Sequence, residues 1–75
     1  MTVFGERFKF YRLQASSTQK ELAEVFAVAA TTVTAWESGQ NLPRIEKLLE
    51  IADYFGVTPN DLLGYGKITT VKPSL

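Results

Sequence analysis

Apolar residues recur along this chain at intervals of three and four, interrupted by residues that start or stop helices. Phe4, Phe8 and Tyr11 share one face of a first helix over about Val3 to Ala15, with Thr2 as its cap. The Ser16-Ser17 pair ends it. Thr18 and Glu21 fit a capping box, in which hydroxyl and carboxylate each satisfy an open amide, and predict a second helix running to about Phe26. After a short turn at Ala27 to Ala29, a third helix covers about Ala30 to Ser38, and Gly39 is placed to take the left-handed conformation that closes it. Pro43 suits the first position of a fourth helix, because its missing amide has no partner there. Ile45, Leu48, Leu49, Ala52 and Phe55 give that helix its buried face, and Gly56 stops it. Thr58, Pro59 and Asp61 open a brief fifth helix that ends at Gly64. Beyond it the helical period is lost, and a stretch rich in Ile, Thr and Val between Lys67 and Lys72 predicts an extended tail. The expected fold is all-α: one five-helix domain over residues 1–64 and a short extended C-terminal tail over 65–75.

Two of these helices form a recognisable unit. Leu22, Phe26, Val28, Val33 and Trp36 place apolar groups at offsets of 3, 7, 9, 14 and 17 from Gln19, with the small Ala23 where two helix backbones come closest. A helix-turn-helix requires this arrangement, with its second helix left protruding for the major groove of DNA. The stretches Phe4-Gly5-Glu6-Arg7-Phe8, Thr18 to Glu24, Val33 to Gly39 and Leu48 to Leu63 resemble the phage repressor and Cro-like helix-turn-helix domains, also called the xenobiotic-response-element family. The resemblance covers roughly residues 4 to 63 and implies a repressor-like domain. Its implied activity is sequence-specific binding of double-stranded DNA in transcription regulation, most simply as a repressor, with the third helix in the groove.

The same resemblance implies which residues meet DNA. Gln19, at the amino end of the second helix, and Ser38, just after the third, match positions that clamp the phosphate backbone, and Arg44 matches one at the start of the fourth. Lys20 and Lys47 are weaker matches, closer to ordinary solvated charges. Around the third helix Val33 and Trp36 point inward, while Thr31, Thr34 and Ala35 lie opposite, with Ala30 near the leading end and Thr32 beside them. None of these side chains can make the bidentate contact by which Arg reads guanine or Gln reads adenine. Methyl contact with thymine, single hydroxyl bonds and DNA shape are left, so an A·T-leaning site is expected. The resemblance further implies an ion pair between Arg12 and Glu37, tying the first helix to the third. Four positions depart from the family pattern: Ala27 stands where Gly is usual in the turn, Ala29 where a capping Ser is usual, and Ala30 and Ala35 where polar residues are usual.

Composition narrows the functions. The chain holds no Cys and no His, so no disulfide, no thiolate or imidazole metal site, and no convincing nucleophile and base pair is available; an enzyme and a cofactor are not expected. The longest apolar run, Val25 to Ala30, is far short of a membrane span and no secretory leader opens the chain, so the expected location is the cytoplasm. Eight basic residues balance eight acidic ones, which predicts weak non-specific attraction to DNA. That balance also supports a rival reading, a protein-interaction module of the same fold that has lost DNA binding.

One apolar set is left over. Val3, Phe10 and Leu13 lie within about 80° of one another on the first helix, away from the Phe4, Phe8 and Tyr11 face. With Tyr65, Ile68 and Val71 of the tail they form the expected interface of a homodimer. The alternative is that the tail folds back over Phe10 and Leu13 within one chain.

Overall fold

Threonine hydroxyls open three of the helices found in the computed structural model, which describes residues 2–64. The helices are α1 (Val3–Gln14), α2 (Gln19–Val25), α3 (Ala30–Ser38), α4 (Ile45–Phe55) and α5 (Pro59–Leu63), and no strand occurs among the described residues. Thr2 Oγ1 accepts from the Gly5 amide at 3.0 Å, and Thr58 Oγ1 from the Asp61 amide at 3.0 Å. Both halves of the predicted capping box are present: Thr18 Oγ1 accepts from the Glu21 amide at 3.0 Å while Glu21 Oε1 accepts from the Thr18 amide at 2.9 Å. The tail expected over 65–75 lies outside the described residues.

Helix α4 departs from expectation at its start and on its flank. Pro43 precedes the helix, and the N-cap is Arg44, whose extended ψ of 164° places it outside the helical turn. A proline φ fits either place, so Pro43 by itself does not fix the boundary. Ile45 and Leu49, expected in the buried face, are 69% and 51% exposed. The helix is rolled so that Leu48, Ile51 and Ala52 are buried and Phe55 packs at their edge. At 100° per residue Leu49 then falls well off the seam, while Ile51, which the expected face omitted, falls inside it.

The core is built on aromatic rings around Phe8. Its centroid lies 5.7 Å from Phe4, 6.3 Å from Phe26, 5.7 Å from Trp36 and 5.8 Å from Phe55, the last two edge-on. Such pairs add about 0.5–1.5 kcal/mol each beyond the area they bury. Helix α1 thereby joins every part of the molecule, packing on α3 along one side and α5 along the other. Its approach to α3 is closest at Gly5, where a Cβ would lie 2.6 Å from the Glu37 carbonyl oxygen and 2.7 Å from that of Trp36.

Polar contacts lock the other side of α1. Arg7 Nη1 donates to Asp61 Oδ1 at 2.7 Å and to the Asp61 carbonyl at 2.5 Å, and the Tyr11 hydroxyl donates to Asp61 Oδ2. Burial, then the hydrogen bond to the Asp61 carboxylate, push the Tyr11 phenol up to about 12, with the Arg7 charge opposing. A raised native value means that the stabilisation is complete below the unfolded phenol's value of about 10 and fades as pH rises through about 12. The Tyr11→Phe variant should therefore lose less stability than the parent between pH 9.5 and about 12. Equal alkaline slopes in thermal melts would disprove it. Lys47 is likewise engaged rather than merely solvated: its ammonium donates to the Phe26 carbonyl at 2.7 Å, at the end of α2, and to Glu50 at 3.1 Å. A cation there suits the negative end of the helix dipole.

The turn between α2 and α3 holds strain. Ala27 has φ of +58°, a left-handed conformation that costs a residue with a Cβ about 1 kcal/mol. Ala27→Gly should stabilise the domain by up to about 1 kcal/mol. A urea titration followed by the fluorescence of Trp36, the single tryptophan, checks this; a destabilised variant refutes it.

Candidate nucleic-acid interface

The turn after α2 sets how α3 is presented. The Val28 amide donates to the Ala23 carbonyl at 2.9 Å, closing α2, and the chain extends only through Ala29 before α3 begins. With Ala23, Val33 and Trp36 all buried in the shared seam, α3 is fixed by its inner face and its outer face is left to solvent. Ala30, Thr31 and Thr34 are exposed there, and Thr32 is half-buried. No charged side chain lies between Ala27 and Trp36, so this surface offers only methyls and hydroxyls.

Ala35 is not where the helical angle put it. Expected on the outer face, it is 8% exposed. The amides of Gly39, Gln40 and Asn41 donate to its carbonyl at 3.1, 3.0 and 3.3 Å, and Ser38 Oγ donates to the same oxygen at 3.2 Å. The chain leaving α3 thus turns back on the Ala35 carbonyl within six residues, a consequence of the left-handed Gly39 that period alone does not contain. Ser38 itself stays exposed.

Helix starts differ across the molecule. α1, α2 and α5 are capped by threonine, whereas the N-caps of α3 and α4, Ala29 and Arg44, supply no side-chain hydrogen bond. Amides at those two starts remain open to an anion, and the exposed Arg44 stands at the second. Six basic and eight acidic side chains fall within residues 2–64, and Arg7, Arg12 and Lys47 are already paired with carboxylates. Any anion held here is held by local geometry rather than by net charge.

The expected Arg12 and Glu37 pair is present and nearly dry. Arg12 Nε lies 2.6 Å from Glu37 Oε2 and Nη2 lies 3.1 Å from Oε1, with side chains 12% and 6% exposed, while Arg12 Nη1 donates to the Ser17 carbonyl at 3.0 Å. Sequence reasoning missed a third member. Gln19 Nε2 donates to Glu37 Oε1 at 2.9 Å, and Gln19 Oε1 accepts from Thr34 Oγ1 at 2.9 Å. The signal was the carboxylate itself, because a buried acceptor with more lone pairs than one arginine fills will recruit another donor.

Among the described residues no cluster is suited to a metal ion, and no helix is long and apolar enough to cross a membrane. A helix-turn-helix family model matches residues 8–62. The chain is 35% identical to the HTH-type transcriptional activator BcrR of Enterococcus faecalis, over 91% of this chain and 33% of that protein. It is 32% identical to the cryptic phage CTXphi transcriptional repressor RstR of Vibrio cholerae, over 79% of this chain and 53% of that one. It therefore spans between a third and about half the length of these two relatives. The solution structure of the SOS-response transcriptional repressor LexA from Eubacterium rectale superposes with a TM-score of 0.82 at 29% identity, covering 97% of this chain and 78% of that one.

Proposed function

Because the chain belongs to the helix-turn-helix family of Cro and C1 type, we propose that it binds double-stranded DNA as a transcriptional regulator, laying α3 in the major groove. The observation that carries this reading is the protruding, uncharged outer face of α3 flanked by two helix starts whose amides no side chain caps. Ala30, Thr31, Thr32 and Thr34 meet base edges, and Gln19, Ser38 and Arg44 hold phosphates. Ala35, being buried, contributes shape rather than contact. Repression by occupying a promoter is the simplest output, and two of the three similar proteins named above are repressors. No cofactor or catalytic step enters this function, and it is exercised in the cytoplasm.

DNA binding is by a homodimer. Val3, Phe10 and Leu13 are 45%, 53% and 57% exposed, an apolar stripe that a second copy would cover together with Tyr65, Ile68 and Val71 of the tail. Two copies place two recognition helices about 34 Å apart and compensate for half-sites read only by methyls and hydroxyls.

Binding to duplexes selected from a random pool tests the whole reading. Thr31→Ala should change the preferred sequence, whereas Arg44→Ala should weaken all sequences alike. With two or three phosphates neutralised per copy, log affinity of the dimer should fall on log salt with a slope of about −4 to −5. On a two-fold site the parent should sediment as a dimer and Leu13→Lys should not. If both DNA variants bind a selected site as tightly as the parent, the interface is wrong; a protein that shifts no duplex yet retains a protein partner is the interaction module instead.

A further inference from the structure

We infer that Glu37 is a positioning residue for DNA recognition: buried on the inner side of the last turn of α3, it sets the orientation of the Gln19 amide and, through it, the hydrogen-bonding character of Thr34. The inference rests on the DNA-binding reading above and adds to it how the surface is polarised.

An ionised carboxylate only accepts hydrogen bonds. Glu37 takes two N–H groups from Arg12 and, on Oε1, a third from Gln19 Nε2 at 2.9 Å. Rotating the Gln19 amide by half a turn would bring its carbonyl oxygen against this carboxylate, so one orientation is enforced. Gln19 Oε1 must then face Thr34, and Thr34 Oγ1 lies 2.9 Å from it. A hydroxyl has one proton to give. The Ala30 carbonyl, 3.2 Å from the same Oγ1, is a second acceptor for that proton, so either way it is spent inside the protein. Thr34 consequently meets the groove as an acceptor and a methyl, never as a donor.

Two consequences reach the DNA. The second N–H of Gln19 is left for a phosphate on a side chain whose rotamer is fixed before binding, so its ordering is not charged against affinity. At the base pair beneath Thr34, an acceptor with a methyl suits the exocyclic amines of adenine or cytosine and the thymine methyl, and gains nothing from guanine O6 or N7.

Glu37→Gln inverts this arrangement with almost no change in shape. Its new NH2 faces donors, and Gln19 relieves the conflict by turning its oxygen inward and its NH2 toward Thr34, which then accepts from Gln19, keeps its proton on the Ala30 carbonyl and has less acceptor capacity left for the groove. In a double-mutant cycle on a selected duplex, Glu37→Gln should weaken binding about tenfold in the parent and less than about twofold when Gln19→Ala is already present. Selection repeated with Glu37→Gln should weaken the preference for adenine or cytosine under Thr34, because one of its acceptor sites is then taken by Gln19. Equal penalties in both backgrounds, or an unchanged base profile, would show that Glu37 only supports the fold. The parent supplies a readout that no folding defect can spoil: in its NMR spectrum the Gln19 side-chain amide protons should be widely separated, with one slow to exchange, unlike those of the exposed Gln14 and Gln40. Amide protons of Gln19 indistinguishable from these overturn the inference by themselves. A parent that binds no duplex overturns the proposed function and this inference together, whereas tight binding with additive penalties overturns this inference alone.

Discussion

Glu37→Ala should lose about 3–5 kcal/mol of folding stability, the largest effect expected of any single side chain on the polar side of the core. Its carboxylate is 6% exposed and its main partner, Arg12, 12% exposed. Truncating Glu37 leaves the guanidinium buried with only the Ser17 carbonyl at 3.0 Å to receive it. The penalty is dominated by that stranded charge and not by the attraction lost, because a buried pair roughly breaks even against its own desolvation. A domain of this size has a total stability of roughly 4–11 kcal/mol, so the variant should be largely unfolded well below the parent's urea midpoint. Removing both charges separates the two contributions: Arg12→Met with Glu37→Leu should recover most of the loss. Trp36 fluorescence in urea reads all three, with the exposed Glu24→Ala, expected within about 0.5 kcal/mol of the parent, as the comparison. A Glu37→Ala shift no larger than that of Glu24→Ala would mean that the pair holds nothing together.

Gly5→Ala should cost about 2 kcal/mol although alanine is the better helix former. Gly5 lies inside α1, where the exchange would gain about 1 kcal/mol in an isolated helix. Here the added methyl meets two backbone carbonyls, of Glu37 and Trp36, at 2.6 and 2.7 Å. A side chain could swing aside, but the last turn of α3 is held by its own hydrogen bonds, so α1 must move away. That retreat loosens the Phe4 and Phe8 contacts with Trp36, whose ring centroids now stand 6.4 and 5.7 Å away. Overpacking of this kind costs about 1–3 kcal/mol, and more when only backbone can yield. The same retreat stretches the Arg12 and Glu37 pair, so Gly5→Ala combined with Glu37→Ala should cost less than the two separately. A Gly5→Ala protein as stable as the parent would show that α1 tilts freely.

Much of this architecture was legible because it is local. Thr2, Thr18 with Glu21, Thr58, Gly39, Gly56 and Gly64 each act within four residues of the helix end they mark, and each does so here. Arg12 and Glu37, 25 residues apart, were legible only through resemblance to a family, since no period links them. What escaped depends on how helices are rolled and where loops return. Ile45 and Leu49 were assigned inward because apolar residues outnumber the buried positions of α4, and only packing decides which flank is covered. Ala35 was assigned outward because an angle around α3 does not know that Gly39 to Asn41 folds back on it. Lys47 gave no hint of the Phe26 carbonyl it caps, nor Arg7 of Asp61, because both partners lie on other helices. The Gln19 link escaped for a related reason: it joins a predicted contact to a predicted ion pair, which the sequence offered as separate features.

The pairing of α1 with the far end of the domain also bears on when the molecule can fold. Arg7 and Tyr11 meet Asp61 across 54 and 50 residues, so the Arg7 charge and the Tyr11 hydroxyl stay unanswered until almost all of residues 2–64 have been synthesised. At a translation rate of about 5–20 residues per second, roughly 3–10 seconds separate the two partners, far longer than helices need to form and dock. The α2 and α3 pair is complete well before α5 exists, and its seam is made of neighbours in the chain. Synthesis therefore delivers the recognition unit first and the clasp that steadies it last, and a chain ending before Asp61 would hold a helix-turn-helix whose first helix closes on α3 alone.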